Sequence, residues 1–438
     1  MTVEIGWPYW SAAAHVEAGR TEDARVLDLG AWKQFADALG QLPSLLPPEV
    51  VNLGPVDQAE LIRNVLQMFH FGLERTMGSN DPYRPVFSRP WAAHLFDWGG
   101  ANPDSVYRTI TLRDDLNYRI HGRFGNAPFI GFDFTKPGGA GGNLLAADFH
   151  PGNDGRFEIF LGKARQSGTW YEMVPGTNGI LVREFFDDWD AARTSQLEIE
   201  CLDAPPGPWP IVNADRVERQ LTALSQWLAA SVRFWAMMHM ENQKHRNGFK
   251  PAPTRPESPL PYVYNGGWDL GADECLVMEM SLPPAPRYWG LQTISALYAS
   301  QDYAHRQVSL TRAQSVPDAD GRVRIVLAHR DPGVANWLDT SGMRQGGMLF
   351  RIGQPAEPAI STHRLADTAQ DWFAAVGKEG QAGAPKPRSE LIPAPRCSVV
   401  PLAQLDRVLP AGTRRVSAQQ RAAALAQRAA QVNRLIRS

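Results

Sequence analysis

The fold is decided by four segments in the second half of the chain, which read CLVMEMSLPPAPRYWGLQTIS (residues 275–295), DGRVRIVLAH (320–329), NWLDTSG (336–342) and GGMLFRI (346–352). Each segment is a short run of apolar and β-branched residues bounded by Gly, Pro or Asp. That pattern is typical of strands joined by turns. The spacing of these runs therefore predicts an antiparallel β-unit in this part of the chain.

A similar series of segments lies earlier in the chain, as LNYRIHGRFGNAPFIGFDFT (116–135), DGRFEIFLG (154–162), TWYEMVPG (169–176) and GILVREF (179–185). The spacings agree between the two series. Leu116 precedes Gly131 by fifteen residues, and Cys275 precedes Gly290 by fifteen. We interpret the two series as an internal duplication of one β-unit.

The dipeptide Asp-Gly opens one strand in each copy, at Asp154-Gly155 and at Asp320-Gly321. Asp-Gly is a strong signal for a two-residue hairpin turn, which supports antiparallel pairing. A sandwich or jelly roll is the usual way to close such strands. We therefore predict a mainly β fold with helical additions, built from two related antiparallel jelly-roll-like β-sandwich units.

Helical periodicity predicts the remaining elements, namely an N-terminal helical cap, a long connecting helix and a C-terminal helix. The predicted organisation is a helical cap at 1–94, the first β-sandwich unit at 95–205, the connecting helix at 211–248, the second unit at 262–360, and a wrapping arm with a basic helix at 361–438. Asp57, with Glu60 three residues later, is predicted to cap a helix of the N-terminal region. A further short helix is predicted at 366–375.

The C-terminal helix carries six arginines and no acidic residue between Arg414 and Arg437. Leu425, Ala429 and Val432 lie at helical spacing, which predicts one apolar face. An anionic partner would explain the arginines. A solvated face on a helix that docks on its own protein, or on a second subunit, would explain them as well.

Composition limits the class of protein. The chain has 438 residues, 43% of them apolar, and a formal net charge of −2. This charge argues against general nucleic-acid binding. The first nineteen residues lack a basic region followed by an apolar run, and no run of eighteen apolar residues occurs. Three widely spaced cysteines fit a reducing compartment. These features predict a cytoplasmic protein that does not span a membrane.

The residues RYWGLQ, DGRVRI, NWL and GGMLFRI resemble the bacterial domains of unknown function 1214. The first copy, preceded by NPDSVYRTITL, is similar to the companion domain of unknown function 1254 or to a divergent relative of it. The resemblance covers roughly residues 95–355. It implies a β-rich jelly-roll architecture and a homo-oligomer, and it implies no established chemistry.

Motifs for cofactors and for common hydrolases are missing from the sequence. No HxH pair suggests a cupin metal site, and His239 and His245 are not spaced to share one helix face. No GxSxG nucleophile elbow occurs. The glycine-rich segment at 138–142 has neither a following helix nor an acidic ribose ligand. The sequence therefore predicts no metal and no nucleotide cofactor.

Polar residues embedded among aromatic residues remain as candidates for a site, namely Asn102, Asp104, Tyr107 and Arg108 in NPDSVYR, Arg287, Tyr288 and Trp289 in RYW, and His150 in DFHPGNDGR. Aromatic walls with a few charged groups suit a pocket for a small acid or a sugar. Asp104 and Tyr107 are predicted to transfer protons. Arg108 and Arg287 are predicted to bind an anion. Asn102, Tyr288, Trp289 and His150 are predicted as further substrate contacts.

The sequence leaves the function open. One hypothesis is a catabolic or accessory enzyme that acts by acid–base chemistry on a small hydrophobic or aromatic acid. The alternatives are a non-catalytic small-molecule or carbohydrate-binding protein and a structural oligomer subunit. Trp337 and Arg351 recur as Trp170 and Arg183 in the first copy. Since duplication preserves folding features, these four residues are better explained as structural.

Overall fold

The computed structural model describes eight segments of the chain, namely residues 25–78, 81–88, 97–136, 139–207, 212–251, 262–281, 288–353 and 394–437. Arg287 and the helix predicted at 366–375 lie outside the described residues.

Within these segments, three α-helices precede the first β-unit, one connects the two units and two follow the second. They are α1 (Leu29–Gln41), α2 (Pro48–Val51), α3 (Pro55–Met77), α4 (Ala214–Gln243), α5 (Leu405–Val408) and α6 (Ala418–Arg437). Helix α3 begins at Pro55, because proline lacks an N–H and has a φ suited to the first helical position. Asp57, the predicted cap, therefore lies in the first turn, where it accepts a hydrogen bond from the Gly54 N–H at 3.3 Å.

The first β-unit contains eight described strands, namely β1 (Ser105–Thr111), β2 (Tyr118–Arg123), β3 (Phe129–Lys136), β4 (Gly139–Leu145), β5 (Arg156–Leu161), β6 (Trp170–Tyr171), β7 (Gly179–Phe185) and β8 (Gln196–Cys201). They form two four-stranded sheets, with strand orders β1-β7-β3-β4 and β6-β5-β2-β8. All pairs are antiparallel except β5–β6, which is parallel. Residues 139–142 of the glycine-rich segment belong to strand β4.

A short strand β9 (Gly248–Pro251) precedes the second β-unit. The strands of that unit are β10 (Tyr262–Asp269), β11 (Glu274–Met280), β12 (Trp289–Ile294), β13 (Ser309–Thr311), β14 (Val323–Ala328), β15 (Trp337–Asp339), β16 (Gln345–Ile352) and β17 (Arg396–Pro401). The strand orders are β10-β16-β12-β13 and β15-β14-β11-β17. Again one pair, β14–β15, is parallel.

The two units have the same topology strand for strand, including the parallel pair. Their register also agrees, because Gly131 pairs with Arg183 in the first unit and Gly290 pairs with Arg351 in the second. The Asp-Gly turns agree as well. Gly155 and Gly321 have φ values of 80° and 76°, a region that glycine adopts without strain. The predicted mainly β fold of two related sandwich units is confirmed.

Each unit buries an apolar core between its two sheets, around Phe132 in the first and Trp268 in the second. A third core joins the units to the helices. It contains Trp227 and Trp235 of α4, and it also includes residues of both β-units and of α6. Burial of this much aromatic surface makes the helices an integral layer of the fold.

Helix α6 packs against its own chain. Val432 and Leu435 are buried in the third core, and two of the arginines that could have been solvated, Arg421 and Arg428, are buried too. Arg421 donates to the Asp331 carboxylate at 2.8 Å. Arg434 pairs with Asp190 of the first unit at 2.5 Å. The helix therefore contacts both β-units.

Candidate functional site

Residues 97–104 lead into strand β1 of the first unit and lie against the second unit. The Trp98 indole N–H donates to Ser231 Oγ of helix α4 at 2.9 Å. The Ser300 backbone N–H donates to the Asp97 carboxylate at 2.5 Å. Because Ser300 belongs to the second unit and Ser231 to the connecting helix, these bonds fix the segment at the junction of the two units.

Four of the predicted site residues meet at this junction, and we call them the Asp104 cluster: Asn102, Asp104, Tyr107 and Tyr288. The Tyr288 hydroxyl donates to Asp104 Oδ2 at 2.8 Å and accepts from the Asn102 side-chain amide at 2.6 Å. The Asn102 backbone N–H donates to the Tyr107 hydroxyl at 2.8 Å. All four side chains are buried. The cluster thus joins NPDSVYR to RYW across the two units.

A glycine in strand β12 makes room for the Asp104 cluster. A Cβ atom at Gly290 would overlap Asp104 Oδ2 and would lie 2.6 Å from the Tyr288 hydroxyl oxygen. Any larger residue at this position would displace one of the two groups. Gly290 therefore permits the close approach of the carboxyl to the sheet, which is a common reason for glycine within a strand.

The Asp104 carboxyl is placed to change its protonation state near neutral pH. It is 1% exposed, and its Oδ1 atom accepts no hydrogen bond from the described residues. Burial raises the pKa of Asp104 to about 7, opposed by the Tyr288 hydrogen bond and the charges of Arg428 and Arg351. Burial also raises the pKa of Tyr288 well above its usual value. A general acid or base works best with a pKa near the working pH.

Arg351 and Gln292 border the Asp104 cluster on the same face of the sheet. Arg351 donates to the Gln292 side-chain oxygen and to the Gly100 carbonyl. Gln292 in turn donates to the Ala101 carbonyl at 3.2 Å. Both of these acceptors of Arg351 are neutral, so its positive charge remains available to an anion nearby.

The equivalent place in the first unit has different chemistry. Counting from the paired glycines Gly131 and Gly290, Phe129 stands where Tyr288 stands and Asp133 stands where Gln292 stands. Asp133 pairs with Arg183 at 3.0 Å. The first unit thus keeps an arginine and a carboxylate on its sheet, whereas the Asp104 cluster has no counterpart among its described residues.

The other predicted site residues lie apart from the Asp104 cluster. Arg108 donates to Glu184 at 2.6 Å in a buried ion pair within the first unit. Trp289 is buried in the core of the second unit, where its ring lies 6.0 Å from that of Phe350. His150 is exposed and follows a short 3-10 helix with a φ of 48°. Arg287 is outside the described residues.

Sequence reasoning missed Asp97, Gln292 and Arg428 and interpreted Arg351 as structural. Asp97 is buried, and burial raises its pKa to about 7. It stands in FDWGG, which matches no motif. Arg351 has an equivalent in the first copy, Arg183, and is therefore interpreted from the sequence as structural although it lies beside the Asp104 cluster. Arg428 is one of a series of helix arginines, and only its contacts distinguish it.

The described parts of the chain contain no group of three or more His, Cys, Asp or Glu residues placed to hold a metal ion. Within the same parts, no helix combines the length and the hydropathy that a membrane span requires.

Comparison with known proteins identifies the class of the second unit. A family model described as "Protein of unknown function (DUF1214)" matches residues 269–357, from β11 to β16. This match confirms the resemblance predicted for the second unit. The similarity of the first unit to the companion family 1254 stays a prediction. No curated protein matches the chain.

Solved structures with a similar fold include an uncharacterised protein from Burkholderia cenocepacia. It is 27% identical in sequence, the match covers 86% of this chain and 98% of that one, and the TM-score is 0.72. A protein from Vibrio parahaemolyticus is 12% identical, with 67% and 92% of the two chains covered and a TM-score of 0.41. The Burkholderia structure supports the fold as a whole.

Proposed function

We propose that this protein is an enzyme that transfers a proton to or from a small hydrophobic or aromatic carboxylic acid, with Asp104 as the acid–base group. The observation that carries the proposal is the 2.8 Å hydrogen bond between Tyr288 and the buried Asp104 carboxyl. A pKa of about 7 for Asp104 suits this role, because both protonation states are then populated at neutral pH.

The neighbouring residues have distinct roles in this proposal. The Tyr288 hydroxyl orients Asp104 and leaves its Oδ1 atom for the substrate proton. Asn102 holds the Tyr288 hydroxyl in place. Arg351, whose acceptors are neutral, supplies the positive charge for the substrate carboxylate. Tyr107, predicted from the sequence as a proton-transfer group, is assigned the role of holding the Asn102 backbone in this proposal, because its hydroxyl accepts from the Asn102 N–H.

Differences between the duplicated units support a functional role for the Asp104 cluster. Features that determine the fold of the unit, such as the glycine–arginine pair and the Asp-Gly turn, are present in both copies. The hydroxyl of Tyr288 is not kept, since Phe129 stands at the equivalent position. A buried carboxyl with an unpaired oxygen costs the fold free energy, so stability does not explain why Asp104 is present.

Hydrogen–deuterium exchange of phenylpyruvate tests the proposal, because this aromatic acid has an acidic C–H bond beside its keto group. The wild-type protein is expected to accelerate the exchange of these protons in D₂O. Proton NMR measures the rate from the loss of their signal. Asp104→Asn removes the acid–base group and should abolish the acceleration. Asp133→Asn, a buried aspartate on the same type of sheet in the first unit, should retain it. Equal exchange rates for wild type and Asp104→Asn would refute the assignment.

A non-catalytic binding or junction role is the second candidate. Asn102 and Asp104 are each only 1% exposed, and such burial also suits a contact that holds two units together. Benzoate, which has no exchangeable C–H bond of this kind, separates the two candidates. A rise in the midpoint of thermal unfolding with benzoate, without exchange of phenylpyruvate, favours binding without chemistry.

A further inference from the structure

Helix α6 inserts a buried arginine between the two β-units. The Arg428 guanidinium donates to the Tyr303 carbonyl and, at 2.5 Å, to Ser309 Oγ, both in the second unit. It also lies 4.6 Å from the ring centroid of Trp189, which belongs to the segment following β7 of the first unit. Arg428 therefore contacts both units at their junction.

The hydrogen-bond partners of Arg428 in the described chain are all neutral. They are the Tyr303 carbonyl, the Ser309 hydroxyl and, at 3.4 Å, the Gln314 side-chain oxygen. Among the described residues no carboxylate bonds to it directly, in contrast to Arg421 on the same helix, which bonds to Asp331. A buried cation is costly without a compensating charge. Among the described residues, any charge that compensates Arg428 therefore lies farther away.

Strand register places Asp104 on the same sheet face as Arg428. Ser309 pairs with Gln292, and Thr311 pairs with Gly290. Arg428 bonds to Ser309, whereas Asp104 lies over Gly290. Gly290 and Ser309 are diagonal neighbours on adjacent strands, roughly 8 Å apart, so the charged groups that lie over them are on the order of 10 Å apart. At that distance, away from water, a charge still acts on its neighbour.

We propose that Arg428 is the counter-ion that favours the ionised form of Asp104, so that helix α6 sets the charge of the candidate site. This inference rests on the proposed acid–base role of Asp104 and makes Arg428 a positioning residue. In support, the charge of Arg428 lowers the pKa of Asp104, and Asp104 in turn opposes the effect of burial on the pKa of Arg428.

Other charged and titratable groups face the same two residues. Tyr288, Arg351 and Asp187 act on Asp104, while Tyr303 and Asp302 act on Arg428. Asp187 raises the pKa of Asp104, but it is itself paired with Arg312. Among the described residues, Arg351 and Arg428 are therefore the cations that offset the burial of Asp104, and of these Arg428 comes from a helix outside the two units.

Docking of helix α6 would then regulate the site. With Arg428 in place, Asp104 loses its proton at a lower pH and acts as a base. Without Arg428, Asp104 stays protonated to a higher pH, so a smaller fraction of it is ionised and able to accept a proton at neutral pH. The expected rise in the pKa of Asp104 on loss of the Arg428 charge is roughly one pH unit, from one charge at about 10 Å in a protein interior.

The titration of Asp104 in the full-length protein tests this inference without any substrate. Carbon-13 NMR of aspartate-labelled protein gives the carboxyl signals, and Asp104→Asn identifies the one that belongs to Asp104. Arg428→Gln should raise the titration midpoint by roughly one pH unit, whereas Arg428→Lys, which keeps the charge, should leave it near the wild-type value. Arg421→Gln, on the same helix, should not move it.

Arg428→Met is a second variant that removes the charge. Arg428→Met keeps the apolar stem over Trp189, so it serves if Arg428→Gln fails to fold. An unchanged midpoint in the folded charge-removing variant, or an equal shift with Arg421→Gln, overturns the inference. If the midpoint moves as expected but wild-type protein does not accelerate phenylpyruvate exchange, the charge coupling stands and the proposed function falls.

Discussion

Tyr288 and Phe129 occupy the same position in the two β-units, two residues before the paired glycine of each. Both rings pack against one residue, Phe185, with centroid distances of 5.3 Å for Tyr288 and 5.1 Å for Phe129. The aromatic packing at the junction is thus shared by the two copies. The hydroxyl on Tyr288 is the difference between them, and it is the group that bonds to Asp104.

Replacing Tyr288 by phenylalanine introduces the residue that the first unit has at the equivalent position. The change should lower the free energy of unfolding. Both Asp104 and the Asn102 amide lose a hydrogen-bond partner in a buried place, so we expect a loss of about 1–3 kcal/mol in the free energy of unfolding. Urea denaturation measures it. Tyr118→Phe is the matched control in the first unit, where a buried hydroxyl accepts one backbone N–H at 3.0 Å. A gain of stability in Tyr288→Phe would contradict the hydrogen-bond arrangement.

Replacing Gly290 by alanine should destabilise the protein by about 1–3 kcal/mol, since the added methyl group overlaps Asp104. The same change at Gly40 in helix α1, where nothing lies within 4 Å, should stabilise by about 0.5–1 kcal/mol. The midpoint of thermal unfolding should therefore fall in Gly290→Ala and rise in Gly40→Ala. A neutral Gly290→Ala would mean that Asp104 does not approach the sheet this closely.

The contribution of Asp104 to the stability of the protein should fall as pH rises from about 4 to 7. Its pKa is about 7 in the folded protein, against an ordinary value of 3.8 for an aspartate exposed to water, as in the unfolded chain. The folded state therefore binds the proton more tightly, so its advantage is complete below pH 3.8 and is lost as the pH rises through about 7. The difference between wild type and Asp104→Asn should change by roughly 4 kcal/mol across this window.

Chemical denaturation at a series of pH values across that window measures the difference. The sign is the critical result, because Asp104→Asn should become more stable relative to wild type as the pH increases. Asp97 has a similarly raised pKa, and it contributes equally to wild type and variant, so its effect cancels in the comparison. A relative change in the opposite direction would show that Asp104 is ionised in the folded protein throughout the window.

Arg108→Met should lower the free energy of unfolding without affecting the candidate site. It leaves Glu184, which is fully buried, without its ion-pair partner, at an expected cost of about 3–5 kcal/mol. Arg119→Met, which breaks exposed pairs with Glu158 and Glu200, should cost about 1 kcal/mol or less. The Arg108→Met variant should still bind benzoate if the wild-type protein does. Loss of benzoate binding in a folded Arg108→Met variant would support the anion-binding role that the sequence predicts for Arg108.

The fold could be predicted from the sequence because its signals are local. An Asp-Gly turn, a strand-length apolar run and a helical period each depend on residues that are close in sequence, and the duplication repeats the turns and the apolar runs. Helix α1 shows the limit of such patterns. Leu29 and Trp32 have the spacing of a buried face, yet they are 73% and 57% exposed. Periodicity gives the element and its face, whereas what covers that face depends on the rest of the chain.

Only part of the candidate site could be predicted. Asp104, Asn102 and Tyr288 stand out in the sequence as polar residues among aromatic residues, but their contact joins segments far apart in sequence, and no spacing rule brings them together. Arg108 is a plausible anion ligand by its residue type, yet the structure pairs it with Glu184 across the sheet. Arg428 looks solvated by its pattern because helix arginines usually are, and its burial follows from the shape of the junction.

Helix α6 follows both β-units in the chain, and this order bears on how the junction assembles during synthesis. Asp104 and Tyr288 are made before Arg428, so the two units can meet while the cation is still absent. In that interval the Asp104 carboxyl would hold its proton more firmly, and a neutral acid is easier to bury than a carboxylate. The nascent chain could thus close its junction around an uncharged group and acquire the charged site only when the last helix docks.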